Sequence, residues 1–85
     1  MTEEELQEIE LRESKTQSGP WKAYIEGRNH ESGSSFIMTG IGGNRGDDIE
    51  LNGATMADYD FISNAKQDIP KLIAEIRKLK KNIKL

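Results

Sequence analysis

The spacing of apolar residues changes along the chain, and each change predicts a different secondary structure. Leu6 and Ile9 lie three residues apart and follow a Thr-x-x-Glu capping box that begins at Thr2. This pattern predicts an N-terminal helix over residues 1–14. After the Gly-Pro dipeptide at positions 19 and 20 the apolar period shortens to two residues, which is typical of a strand.

The middle of the chain predicts a three-stranded antiparallel meander within residues 21–53. Its strands are expected at 21–25, 35–39 and 49–51, where short apolar segments stand between turn-forming residues. The connections between these segments are short, and consecutive strands with short connections favour antiparallel pairing.

The last third of the chain predicts two helices within residues 55–84. Thr55 opens a second capping box, which indicates a short helix over 55–66. Asp68 is then a fresh N-cap residue with Pro70 in the first turn, so that a long helix begins at 69. Residues 1–85 are therefore predicted to be one α+β domain, in which the two C-terminal helices pack on the sheet.

The apolar residues of the last helix alternate between spacings of three and four. They are Ile69, Leu72, Ile76, Leu79 and Ile83. Two heptads are too few to indicate a coiled coil on their own. The helix either packs across the sheet or is shared between subunits, and Ile73 widens the stripe enough to serve both contacts.

Composition limits what the chain can be. The 85 residues are 34% hydrophobic and include no cysteine, so the core is small and disulfides are excluded. A small domain of this kind is expected to gain stability as a homo-oligomer. No apolar run reaches about 18 residues and the N-terminus is acidic, so neither a membrane span nor a secretory signal is expected. The expected location is the cytoplasm.

Charge is distributed unevenly along the chain, although the net value is only −3. Residues 1–14 carry six glutamates and one arginine, whereas residues 71–85 carry six basic side chains and one glutamate. Either these charges compensate the helix dipoles, or the acidic segment docks on the basic one within a chain or between chains. A basic run beside an acidic body is a weak footprint for nucleic acid, so nucleic acid is not an expected partner.

Two motifs resemble a class of short bacterial and phage or prophage proteins. One is Gly-Pro-Trp at the start of the first strand, and the other runs from Asp58 through Phe61, Ile62 and Ala65 to Asp-Ile-Pro at residues 68–70 and Leu-Ile-x-Glu at 72–75. The resemblance implies a shared scaffold and a phage origin, which would place the protein in the host cytoplasm. It implies no catalytic residue, and it does not extend over residues 27–54.

Two glycine-bearing loops carry side chains that bind anions. The candidate ligand-binding residues are Arg28, His30, Ser34, Ser35 and Arg45, together with Trp21 as a ring on which a base could stack. The loop around Arg45 lacks the Gly-Lys-Ser/Thr of a nucleotide hydrolase. No motif combines a nucleophile, a base and an oxyanion site, so no enzyme activity, cofactor or metal is expected.

The sequence therefore favours a non-enzymatic, oligomeric binding protein. Given the phage resemblance, the leading hypothesis is sequestration of a nucleotide-type immune signal of the host, such as a cyclic dinucleotide or an ADP-ribose derivative. The alternative is a protein–protein interaction module that inhibits a host protein through its helices. An exposed apolar surface on the helices of one subunit would favour the alternative.

Overall fold

The computed structural model describes residues 1–31 and 33–83. Its elements in chain order are α1 (Glu3–Ser14), β1 (Trp21–Tyr24), β2 (Phe36–Thr39), a 3₁₀ turn (Gly42–Asn44) and α2 (Met56–Asn82). The predicted α+β class is confirmed. The predicted end of the last helix at residue 84 lies outside the described residues.

Helix α1 begins at the predicted capping box. The Thr2 hydroxyl accepts a hydrogen bond from the Glu5 amide at 3.1 Å, and the Glu5 carboxylate accepts one from the Thr2 amide at 2.7 Å. Leu6 is the residue of this helix that is fully buried. Apolar burial alone therefore holds α1 weakly, and its attachment depends on the polar contacts described below.

The sheet consists of β1 and β2, which pair antiparallel with Trp21 opposite Thr39 and Tyr24 opposite Phe36. Alternation along the strands divides the side chains between two faces. The inner face supplies Ala23 and Ile37, and these pack with Ile25 of the following segment and Tyr59 of α2 to form the core.

The predicted third strand is wrong. Residues 49–51 make a single antiparallel bridge, Ile37 to Ile49, with hydrogen bonds of 2.8 and 2.9 Å. The next pairing along the ladder is replaced by the Tyr59 hydroxyl, which accepts from the Leu51 amide at 2.9 Å and lies 3.1 Å from the Ser35 carbonyl oxygen. A side chain from α2 thus satisfies backbone groups that a third strand would have paired.

A second side chain interrupts the same ladder at its other end. The Gln17 carboxamide oxygen accepts from the Asp47 amide at 2.5 Å, and the Thr39 hydroxyl donates to the Asp47 carbonyl at 2.9 Å. These bonds tie Asp47, three residues beyond the 3₁₀ turn, to the end of β2, where Gly40 adopts a positive φ of 70°. The meander is therefore reduced to a hairpin flanked by one extended segment.

The predicted division into a short and a long helix is also wrong. One 27-residue helix, Met56–Asn82, runs through Pro70. Proline in a helix interior removes the hydrogen bond to the carbonyl four residues earlier and crowds that carbonyl, at a cost of about 3 kcal/mol that other contacts must offset. Tyr59 and Ile73 are both buried and are separated by fourteen residues, close to four whole turns, so one continuous face is anchored on both sides of the proline.

The molecule is long relative to its mass. Its radius of gyration is 15.8 Å and its extents are 56 × 27 × 19 Å, whereas a compact chain of this length has a radius near ~12 Å. The hairpin covers the first half of α2 and α1 covers part of the second half. Within the described residues, neither helix combines the length and the apolar character that crossing a bilayer requires.

Candidate functional site

Arg28 lies at the turn end of the hairpin and is engaged in ion pairing. Its guanidinium donates two hydrogen bonds to the Asp60 carboxylate of α2, at 2.8 and 3.0 Å. The hydrogen bond from Arg28 lowers the pKa of Asp60 below its ordinary range. A bidentate pair of this kind fixes both side chains, so an anionic ligand would have to compete with Asp60 for the guanidinium.

His30, Ser34 and Ser35 lie at the same end of the hairpin. The His30 ring is half-buried and lies 5.5 Å from the Phe36 ring, and the Ser35 hydroxyl accepts from the Glu26 amide at 3.1 Å. Ser34 is exposed beside a shallow hollow that also borders Leu51. Ser35 and His30 therefore contribute to the shape of the turn, and Ser34 is the hydroxyl that faces outward.

Arg45 and Trp21 lie at the opposite end of the hairpin, because Trp21 pairs with Thr39 and Arg45 follows the 3₁₀ turn. Arg45 donates to the Asp48 carboxylate at 3.0 Å. The Trp21 indole N–H donates to the Gln17 carbonyl at 3.1 Å, and its ring packs against the core. The structure thus brings Arg28, His30, Ser34 and Ser35 to one end and leaves the other two candidates at the far end.

The outer face of the sheet carries a row of stacked groups. The Tyr24 and Phe36 rings are nearly parallel with centroids 5.4 Å apart, and the Lys22 amine lies 5.1 Å from the Tyr24 centroid. The His30 ring also lies against Phe36, tilted by 51°. Because the row stacks on itself across both strands, it stabilises the hairpin and leaves little ring surface for a base.

The acidic helix docks on the basic end of α2 within one chain. Arg77 bonds Glu10 at 2.7 and 2.8 Å and also binds Glu3, and these contacts raise the pKa of the arginine and lower that of Glu3. Further along, the Lys66 amine bonds Glu13 at 2.7 Å. The acidic segment thus docks on the basic one within a chain, and the charges also suit the helix dipoles, with glutamates in the first turn of α1 and lysines in the last turn of α2.

A cleft of about 430 Å³ separates the two helices. Its floor is formed by Pro70, Ile73 and Ala74, and its rim carries Glu10 and Arg77. The rim charges are already paired with each other across the opening. The cleft is therefore a seam of the α1–α2 contact, and its polar groups are not directed toward a ligand.

An exposed apolar stripe runs along α2, beside the face that contacts the hairpin and α1. We define the α2 stripe by seven residues: Phe61, Ala65, Ile69, Leu72, Ile76, Leu79 and Ile83. Four of them are strongly exposed, with 75% for Phe61, 57% for Leu72, 52% for Leu79 and 65% for Ile83. The sequence pattern showed the second half of the stripe, but the supposed break before residue 69 concealed its continuation to Phe61.

No family model matches this chain, and no similar curated protein or solved structure was found. Across the part of the chain that the structure describes, no three His, Asp or Glu side chains form a group that could hold a metal ion. The choice among functions therefore depends on the surface chemistry of the chain itself.

Proposed function

We propose that this protein is a non-enzymatic protein-interaction module whose binding surface is the α2 stripe and whose partner is an amphipathic helix. The observation that carries the proposal is the exposure of Phe61, Leu72, Leu79 and Ile83 along one side of a 27-residue helix. Monomeric proteins rarely leave a contiguous apolar surface of this kind in water.

The geometry of the stripe selects a helix as the partner. Its residues recur at spacings of three and four over about 33 Å, since 22 residues separate Phe61 from Ile83 at 1.5 Å each. Side chains in this arrangement form ridges and grooves that another helix fits lengthwise. A flat sheet or a small molecule would leave most of the stripe uncovered.

Position-specific photocrosslinking in the producing cell tests the proposal. Leu72 is replaced by the photoreactive amino acid p-benzoylphenylalanine, and Leu11 is replaced in a matched control. The two leucines have nearly equal exposure, 57% and 56%, but Leu11 lies on α1 outside the stripe. We expect a protein adduct from position 72, mapped by mass spectrometry to a helical segment, and none from position 11. Equal labelling at both positions, or none at 72, would overturn the proposal.

A second candidate is the sequestration of an anionic nucleotide, and a groove along the edge of β1 favours it. The groove has a volume of about 270 Å³ and is lined by Lys22, Arg28, Asn29 and Asn64, with Asp60 among them. Its polar lining provides donors for phosphate oxygens, and a dianionic ligand could displace Asp60 from Arg28. The resemblance to phage proteins is consistent with this use.

Native mass spectrometry with cyclic dinucleotides and ADP-ribose derivatives tests the second candidate. An unaltered ligand mass on the protein, lost in Arg28→Ala and kept in Arg12→Ala, would support it. Arg12 provides the same charge change on an exposed position of α1. If no member of the panel binds, or if the two variants bind alike, the groove is not the site.

A further inference from the structure

The residue pattern of the α2 stripe indicates which kind of helix would pair with it. Because α2 is continuous through Pro70, the repeat that begins at Ile69 extends back to Ala65 and forms six successive layers. In heptad notation, the a positions are Ile69, Ile76 and Ile83, and the d positions are Ala65, Leu72 and Leu79. Isoleucine at a with leucine at d is the combination that favours two parallel strands.

Charge at the flanks of the stripe favours the same arrangement. Glu75 occupies a g position and Lys80 the e position five residues later. In a parallel, in-register pair, Glu75 of one helix faces Lys80 of the other, and the contact is attractive in both directions. Among the described residues of one copy, the Lys80 amine donates only to a neutral group, the Met1 carbonyl, so its charge remains available to Glu75. An antiparallel pair centred on the stripe would place Glu75 against Glu75 of the second helix, and this contact is repulsive.

The rest of the fold leaves four residues of the stripe strongly exposed and covers Ala65, Ile69 and Ile76 only in part. The hairpin bonds α2 through Tyr59 and Gln67, and α1 bonds it through Lys66 and Arg77, none of which belongs to the stripe. Both attachments lie on the face that includes Tyr59 and Ile73. In the heptad, Lys66 and Ile73 are e positions, so α1 and the hairpin would flank the seam between two copies and not occupy it.

We propose that the occupant of the α2 stripe is α2 of a second copy of this chain, in a parallel two-stranded coiled coil over residues 65–83. This inference rests on the proposed function, because it names the partner of the same surface. The hairpins and α1 helices would then lie on the outer flanks of a rod-shaped dimer. Ile76, which is half-buried in one copy, would become fully enclosed.

Sedimentation equilibrium on the full chain gives the first test. We expect the average mass to rise from one chain to two as concentration increases, and Leu72→Lys to remain a monomer. A second measurement uses the absence of cysteine from the sequence. Leu79→Cys places one thiol per chain at a d position, where a parallel pair brings identical residues together. Leu11→Cys supplies an equally exposed control.

Under mild oxidation, Leu79→Cys should form disulfide-linked dimers well before Leu11→Cys does. Circular dichroism of the reduced variants checks that both fold. If a mixture of Ile69→Cys and Leu79→Cys joins faster than either variant alone, the helices are antiparallel and the proposed arrangement is overturned. A chain that stays monomeric at every concentration overturns the second copy as partner.

These outcomes separate the two proposals. A monomeric chain whose position 72 crosslinks to a helix of another protein removes the self-association but leaves the proposed function intact. A monomeric chain that gives no adduct at position 72 removes both.

Discussion

Truncation of Leu72 is the most direct quantitative test of the α2 stripe. Each buried methylene contributes about 0.8 kcal/mol, and Leu72→Ala removes three carbons. In one copy 57% of this residue is exposed, and dimerisation would bury that exposed part. The loss is about 1.4 kcal/mol per copy and about 2.7 kcal/mol per dimer. At 1.4 kcal/mol per tenfold, the dimer dissociation constant should rise roughly 100-fold.

The matched control is Leu11→Ala, which removes the same atoms from a leucine of 56% exposure on α1. Each truncation should lower the free energy of unfolding of the single chain by about 1 kcal/mol or less, because only the part of the leucine that is already buried in one copy contributes to it. Sedimentation equilibrium or size-exclusion chromatography with light scattering measures the dissociation constant. Thermal unfolding checks that each variant remains folded.

The reasoning fails if the two truncations shift the dissociation constant by the same factor. It also fails if Leu72→Ala leaves the constant unchanged while the wild-type chain dimerises. In that case the dimer would form through another surface.

Two further predictions concern stability within one chain. Tyr59→Phe should lower the free energy of unfolding by about 1–3 kcal/mol, because it leaves the backbone groups bridged by the hydroxyl without that partner. The melting temperature should fall by roughly 4–8 °C per kcal/mol, and Tyr24→Phe on the outer face should change it far less. Arg77 holds the pKa of Glu3 below its usual 4.5, so the stabilisation from this pair is present above pH 4.5 and is lost as pH falls through the lowered value. Hydrogen exchange of α1 should therefore accelerate in acid, and Arg77→Gln should remove that part of the pH dependence.

Local signals predicted the parts of the fold that local chemistry determines. The capping box at Thr2 gave the start of α1, and alternation gave the positions of β1 and β2 closely. The prediction of a third strand was wrong because the pairing of this segment depends on Tyr59, a residue of α2 that lies far from Ser35 in sequence. A hydrophobic pattern does not show which distant hydroxyl will accept a hydrogen bond from a backbone amide.

The prediction of a helix break before residue 69 was wrong for a related reason. Asp68 and Pro70 are both favourable in a first helical turn, but they are also tolerated where tertiary contacts anchor the helix on either side. Gln67 and Lys66 supply such contacts immediately before the proline. For the candidate site, the sequence correctly placed several polar groups in one loop, but it could not show that Arg28 would be paired with Asp60.

The bond between Gln67 and β1 has a consequence for aggregation. The Trp21 amide donates to the Gln67 carboxamide oxygen at 2.8 Å, and the carboxamide N–H donates back to the Trp21 carbonyl at 3.2 Å. One glutamine side chain thus reproduces the two bonds that a neighbouring strand would make. At the other end of the same edge, Asn29 accepts from the Ile25 amide. An unfolded or misfolded chain that approaches this edge meets side chains at both of its ends, which leaves only the Ala23 position between them for pairing and disfavours extension of the sheet into fibrils.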